Sequence, residues 1–251
     1  MNKAIKNLFL IPLLGLSLFT DTNLIESAPP IYTPKNTEFF FDVDDVILDK
    51  SYLTIVGIVL KNSWTCAKAL SNWQRFKSAL NQKEQIADAW KEWGKNNYPP
   101  VEKLITEVQQ SKWPNIATVK IVEKLLDKGF TLREATNMGP DEFAEHKKKY
   151  PFFQKFKPGK AVSYKFRPII KKPNPQYFAE LTTLAPDTEH KIFVDDKIEN
   201  VKAARKAGFI GIHFTTAEQL EADLICMGIV ISSHPSIGVK KAFSKNQRRN
   251  A

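Results

Sequence analysis

Cysteine is scarce in this chain: among 251 residues only Cys66 and Cys226 carry a thiol. The two lie far apart, each inside a helical pattern with apolar neighbours, and both are expected to be buried free thiols rather than a disulfide. The four histidines are scattered and no Cys/His cluster has zinc spacing, which argues against a zinc site. Internal repeats and low-complexity tracts are missing too, which excludes solenoid and fibrous architectures. No apolar run reaches the roughly 20 residues that a transmembrane helix requires. What is present is ordinary globular material, 43% hydrophobic and 25% charged. That suffices for a full core in one domain with an insertion, or in two small domains.

The first twenty residues differ from the rest. Lys3 and Lys6 precede LFLIPLLGLSLF, a short apolar block from Leu8 to Phe19. A basic start followed by such a block is the pattern of a secretory signal peptide, so residues 1–20 are expected to direct export to the periplasm or beyond. An uncleaved leader would instead anchor the chain to a membrane, without a stable transmembrane span. Loss of the leader would lower the net charge from +10 to +8, because only Lys3 and Lys6 leave with it. Residues 21–37, containing SAPPIYTPKN, are polar and proline-bearing and predict a linker.

Beyond the linker, two textures alternate. In FFFDVDDVILDK, from Phe39 to Lys50, the three adjacent Phe and then Val43, Val46, Ile47 and Leu48 suit a short strand covered on both faces. Residues 51–113 hold all five tryptophans, with Trp64, Ala67, Leu70 and Trp73, then Ile86, Ala89, Trp90 and Trp93, at helical spacing. They predict a small helical insertion whose aromatics form its own packing. From Asn115 onward, strands and helices alternate. Asn115 caps a helix that Gly129 ends, and FTLREATNM gives a strand. A helix follows from Pro140 to about Tyr150, and Asn174 and Pro175 open another. KIFVDD and FIGIHF give two further strands, and Thr216 caps a last helix. The pattern predicts an α/β fold: a doubly wound Rossmann-like parallel sheet core with an inserted α-helical cap. The boundaries are 38–50 and 114–231 for the core, 51–113 for the insertion and 232–251 for a basic tail.

Three of these strands end in polar clusters, at Asp42/Asp44, Thr136/Asn137 and Asp195/Asp196. Parallel strands carry their sites at their carboxyl ends. Carboxylates converging there repel one another unless a hard divalent cation lies among them, and all-oxygen ligation favours magnesium. Lys172, just before a helix, adds a cation suited to phosphate oxygens. The chemistry suggested is attack of a carboxylate on phosphorus, with charge neutralised by metal and lysine.

From Glu38 to Gly228 the sequence resembles the haloacid dehalogenase (HAD) superfamily of phosphohydrolases. FFFDVDDVILD is similar to its D-x-D motif, which implies Asp42 as nucleophile and Asp44 as general acid and base. LREATNMGP resembles the second motif and implies that Thr136 holds phosphate, with Asn137 beside it. KKPNPQYF resembles the third and implies that Lys172 neutralises phosphate charge. IFVDDKIENVKAARKAGFIGIHF resembles the fourth and implies Asp196 as a magnesium ligand supported by Asp195. The resemblance completes the Mg2+ site with Asp42 and the backbone carbonyl of Asp44. A glycine often follows the second aspartate of the first motif, and here Asp45 takes its place. The implied activity is a magnesium-dependent phosphatase acting on a small phosphorylated substrate. A dehalogenase of the same family is one alternative.

A second alternative rests on charge. From Lys147 to Lys172 there are ten Lys or Arg and no Asp or Glu, and residues 240–249 add five more. Such a field could hold nucleic acid, anionic lipid or another polyanion on a phosphatase-like fold. No nucleic-acid motif accompanies it, and a solvated face with a polar tail is the simpler expectation.

Overall fold

The computed structural model describes residues 30–72, 87–161 and 170–229. The leader, the C-terminal tail, Trp73 and Ile86 lie outside the described residues. From Tyr32 onward the described residues belong to one compact unit. Its centre is a parallel sheet of β1 (Thr37–Phe41), β4 (Thr131–Thr136), β5 (Lys157–Ala161), β6 (His190–Asp195) and β7 (Ile210–His213). The strand order is β5-β4-β1-β6-β7, so β1 is central, flanked by β4 and β6. The expected doubly wound α/β core with a helical insertion is the observed architecture.

Period-two alternation places the aromatic run of β1 on both faces. Phe39 and Phe41 join one apolar layer with Ile192 and Val194 of β6. Phe40 and Phe193 point into the other. The first layer is closed by α5 (Ile116–Asp127) and α9 (Ala217–Cys226), through Val119, Val122, Leu125, Leu220 and Leu224. The second is closed by α7 (Pro175–Thr183) and α8 (Ile198–Lys206), through Tyr177, Phe178, Leu181 and Ala204. Phe178 meets Phe193 edge-to-face at 5.3 Å, a geometry favoured by the ring quadrupoles. The expected caps form. The Asn115 side chain accepts from the Thr118 amide at 3.0 Å, and Thr216 Oγ1 accepts from the Gln219 amide at 3.2 Å.

Between β1 and β4 the chain departs from the sheet. Leu48–Asp49 (β2) and Trp113–Pro114 (β3) pair antiparallel, a stem too short to register as hydrophobic alternation. From this stem spring α1 (Tyr52–Lys61), α2 (Ser63–Ser71), α3 (Ala87–Asn97) and α4 (Pro99–Gln110). Helices α3 and α4 approach closely at Gly94, where a Cβ would meet the Glu102 nitrogen at 2.5 Å.

Four expectations change. Trp64 and Leu70, expected to pack, are 72% and 71% exposed, so the α2 face they mark is not buried. Cys66 is half-buried and Cys226 exposed; both are free, but neither is a core thiol. The basic stretch contributes an edge strand, β5, rather than only a solvated surface. Its sequence, KPGKA, has no alternation; backbone pairing with β4 recruits it, together with the Arg133 guanidinium, which donates to the Pro158 carbonyl at 2.6 Å. Gly159 permits this, since a Cβ there would lie 1.9 Å from the Glu134 carbonyl oxygen. Finally, β1 stops at Phe41. Val43 to Leu48 form a buried turn in which Ile47 and Leu48 both donate their amides to the Val43 carbonyl. Among the described residues no helix is long and apolar enough to cross a membrane.

Candidate active site

Asp42 follows directly from the last residue of the central strand. Its amide donates to the Val194 carbonyl at 2.8 Å, which extends the β1–β6 pairing by one bond and fixes where its carboxylate starts. Oδ1 accepts from the Val43 amide at 2.7 Å, and Oδ2 lies 3.0 Å from Lys172 Nζ. Burial pushes the Asp42 carboxyl up, Lys172 pulls it back, and the nearby Asp195 and Asp44 push it up again, to about 7.

Lys172 is the buried counter-ion of the site. Besides Asp42 it reaches Asp195 Oδ2 at 2.6 Å, and its side chain is almost wholly enclosed. Burial works against its charge, but the Asp42 and Asp195 carboxylates outweigh that and hold its pKa above the usual lysine range. Two features hold the lysine there. Asn174 caps α7 immediately downstream, accepting from the Gln176 amide at 2.9 Å. Asn137, at the end of β4, clasps the Lys172 backbone from both sides. Its Oδ1 accepts from the Lys172 amide at 2.9 Å and its Nδ2 donates to the Lys172 carbonyl at 3.1 Å. Asn137 was expected beside phosphate; the structure engages its amide in positioning the lysine. Thr136 is buried next to it. Its Oγ1 accepts from the Met138 amide at 3.1 Å, which leaves the hydroxyl proton for a further acceptor.

Asp195 and Asp196 end the neighbouring strand, and the two do different work. Asp195 is fully buried and saturated: Lys172, the Lys197 amide at 2.9 Å and Asn200 Nδ2 at 2.9 and 3.1 Å all donate to it. Asn200 was not foreseen. Its only signal was an amide in the first turn of the helix after an Asp-Asp pair. Asp196 is half-buried, and its buried Oδ1 has no hydrogen-bond partner. Burial, and then the Asp195 charge, raise its pKa.

Asp42, Asp195 and Asp196 each offer a carboxylate oxygen, all within 4.8 Å of one another. An unpartnered, buried, charged oxygen in such a group fits a hard divalent cation. The fit is best at Asp42 and Asp196, because Asp195 is already saturated by donors.

The Asp44 carboxylate stands apart from that cluster. It is 30% exposed and its Oδ1 lies 2.6 Å from Lys112 Nζ, a residue at the foot of the insertion. Asp45, where a glycine was noted as usual, has φ 60°, the left-handed region that glycine favours and aspartate tolerates. An ion pair with Lys50 at 2.5 Å braces this turn.

No protein-family model and no curated protein sequence matches the chain. Solved structures do. A HAD family enzyme from Bacteroides thetaiotaomicron, in complex with magnesium and inorganic phosphate, superposes with a TM-score of 0.51 at 16% identity, over 71% of this chain and 94% of that one. A HAD phosphatase from Thermococcus onnurineus gives 0.52 at 19% identity, over 75% and 97%. The HAD-hydrolase YfnB of Bacillus subtilis, bound to magnesium, gives 0.51 at 16%, over 76% and 98%. The chain therefore has the HAD-like fold, a Rossmann-like core carrying a helical insertion.

Proposed function

We propose that the chain is a magnesium-dependent phosphatase that hydrolyses a small phosphomonoester through an aspartyl-phosphate. The observation that carries this reading is the Asp42 carboxylate at the end of the central strand, against the buried cation of Lys172 and within reach of the unpartnered Asp196 oxygen. The magnesium and phosphate held by the Bacteroides enzyme of the same fold support it.

In this reading Asp42 attacks phosphorus and the ester P–O bond breaks, leaving an alkoxide that Asp44 protonates. Asp44 then takes a proton from water, the water oxygen attacks phosphorus, and inorganic phosphate leaves as the Asp42 carboxylate is restored. Thr136 donates its hydroxyl to a phosphate oxygen, and Lys172 offsets the charge gathering on the phosphoryl group. Asn137 and Asn200 hold Lys172 and Asp195 in place. Magnesium, held by Asp42, Asp196 and the Asp44 backbone carbonyl with Asp195 behind them, would supply the remaining charge neutralisation. Residues 51–113 act as the cap that selects the substrate.

A halide leaves without a proton, so a dehalogenase has no use for an acid at Asp44; its presence favours phosphate over haloacid. A panel of phosphorylated metabolites, assayed with and without magnesium, tests the proposal. Full activity after exhaustive chelation overturns the metal requirement, and dehalogenation of a short haloacid without phosphatase activity overturns the reaction. Salt-sensitive binding to RNA or acidic lipid, with no turnover, would favour an anion-binding role for the basic surface instead. Export by the leader is also part of the proposal, and recovery of intact soluble chain only from the cytoplasm would count against it.

A further inference from the structure

Lys112 has no part in the motifs around Asp42, yet it makes the closest ionic contact of the Asp44 carboxylate. It lies between the end of α4 and the return strand β3, so it belongs to the foot of the insertion rather than to the sheet. Its Nζ is 2.6 Å from Asp44 Oδ1 and 2.6 Å from Glu142 Oε1, and its side chain is only 11% exposed. Burial disfavours its charge, but the two carboxylates more than compensate and raise its pKa.

Each end of the arrangement is fixed independently. Glu142 sits in the first turn of α6 (Pro140–Lys149), is nearly fully buried, and takes a hydrogen bond from Gln109 Nε2 at 3.2 Å. His146, one turn on, brings Nε2 to 3.8 Å of its Oε1. The Lys112 backbone is pinned as well, since its carbonyl accepts from the Tyr150 hydroxyl at 2.8 Å. A long lysine side chain held at both its backbone and its ammonium has little freedom left. Glu142 also shares the ammonium, so the Lys112 charge is not directed at Asp44 alone.

We propose that Lys112 is a positioning residue for Asp44, set in place by Glu142, and that it ties the group handling the leaving-group proton to the return strand of the insertion. The inference rests on the phosphatase reading and deepens it. The bland alternative is an ion pair that fastens the insertion to the core without touching the chemistry. The two differ in what they predict. A fastening pair would, on removal, lower stability and affect all substrates alike. A positioning residue acts only through Asp44, so its removal must show where the Asp44 proton matters and vanish where Asp44 is already lost.

The test is steady-state turnover of the full chain with magnesium on two phosphomonoesters, an alkyl phosphate and an activated aryl phosphate whose leaving group needs no proton. Lys112→Met is expected to lower kcat for the alkyl ester by about 10²-fold, the scale of a misplacement of ~1 Å, with KM little changed and a much smaller loss on the aryl ester. Lys112→Arg should recover part of the loss. In an Asp44→Asn background, Lys112→Met should cost nothing further. Glu142→Gln is the second variant should Lys112→Met fail to fold; it should give a smaller loss with the same leaving-group dependence. Equal losses on both esters, an unchanged kcat, or a full additional loss in the Asp44→Asn background would overturn the proposal while leaving the phosphatase reading standing. A wild-type chain inactive on both esters would overturn the phosphatase reading and this inference with it.

Discussion

Helix α5 of the core and α1 of the insertion are both rich in apolar residues, and only one of them is buried. Along α5, Val119, Ile121, Val122 and Leu125 are enclosed, because the helix lies on a sheet face that already presents Phe39, Phe41 and Leu132. Along α1 (YLTIVGIVLK) only Ile58 is buried, while Leu53 is 85% exposed. Apolar content therefore does not determine burial here; a rigid partner surface does. The sheet supplies that surface for α5 and α9 on one side and for α7 and α8 on the other, and nothing equivalent underlies α1 among the described residues. The same contrast runs through the polar groups. The core aspartate Asp195 is saturated by donors from its own sheet edge and helix, whereas among the described residues the insertion reaches Asp44 through one long side chain, Lys112.

The contrast can be broken most sharply at the end of β1. Asp42→Asn removes the proposed nucleophile and should abolish turnover in the same assays in which substitutions along α1 leave the chemistry intact. Next in size is the core itself. Phe193→Ala opens a cavity between the sheet and α7 and should cost about 3–5 kcal/mol in chemical denaturation. Lys172→Met should be of similar magnitude, about 3–5 kcal/mol, because Asp42 and Asp195 would then face each other without a cation. Added magnesium should recover part of that loss, a readout that a simple packing defect would not give.

A smaller effect concerns pH. In the folded chain the Asp42 carboxyl is pushed up to about 7 from the ordinary 3.8, so between those values the folded chain holds more protons than the unfolded one. A raised carboxyl pKa means that the charged form is disfavoured by folding. Its contribution to the stability of the metal-free chain is fully present below the lower value and is lost as pH rises through the window. Magnesium competes with the proton for the same oxygens, so it should raise Tm more above about pH 7 than near pH 5. An equal increment at both values would contradict cation binding at Asp42. The smallest effect belongs to α1: Leu53→Ser should change stability by no more than about 0.5 kcal/mol. A loss on the scale of Phe193→Ala would mean that α1 is covered in solution.

Much of the fold could be read in advance, since its signals are local. FFF before Asp42, the caps at Asn115, Asn174 and Thr216, and Gly129 after α5 each carry their own instruction within a few residues. The clustering of Asp42, Asp195 and Asp196 followed from the parallel order of the strands whose ends carry them, and Lys172 joins them from the turn before α7. What was not legible depends on distant partners. KPGKA becomes a strand only because β4 offers an unpaired edge and Gly159 lets the backbones approach. Asn137 has the composition of a phosphate ligand, yet it is turned to the Lys172 backbone by a loop 35 residues away. Asn200 lacks a distinguishing pattern, and the Lys112–Asp44 pair joins segments that no period or motif connects.

The alternation of strands and helices, the caps, the carboxylates at the strand ends and the lysine before α7 were all present in the local sequence. Those properties follow from side-chain size, backbone preference and hydrogen-bonding capacity over short spans. Which carboxylate oxygens are satisfied, that Asp196 Oδ1 is left without a hydrogen-bond partner, and which apolar helix is covered were settled only by the assembled fold. Saturation and burial are properties of the space between segments, and that space exists only once the sheet has assembled.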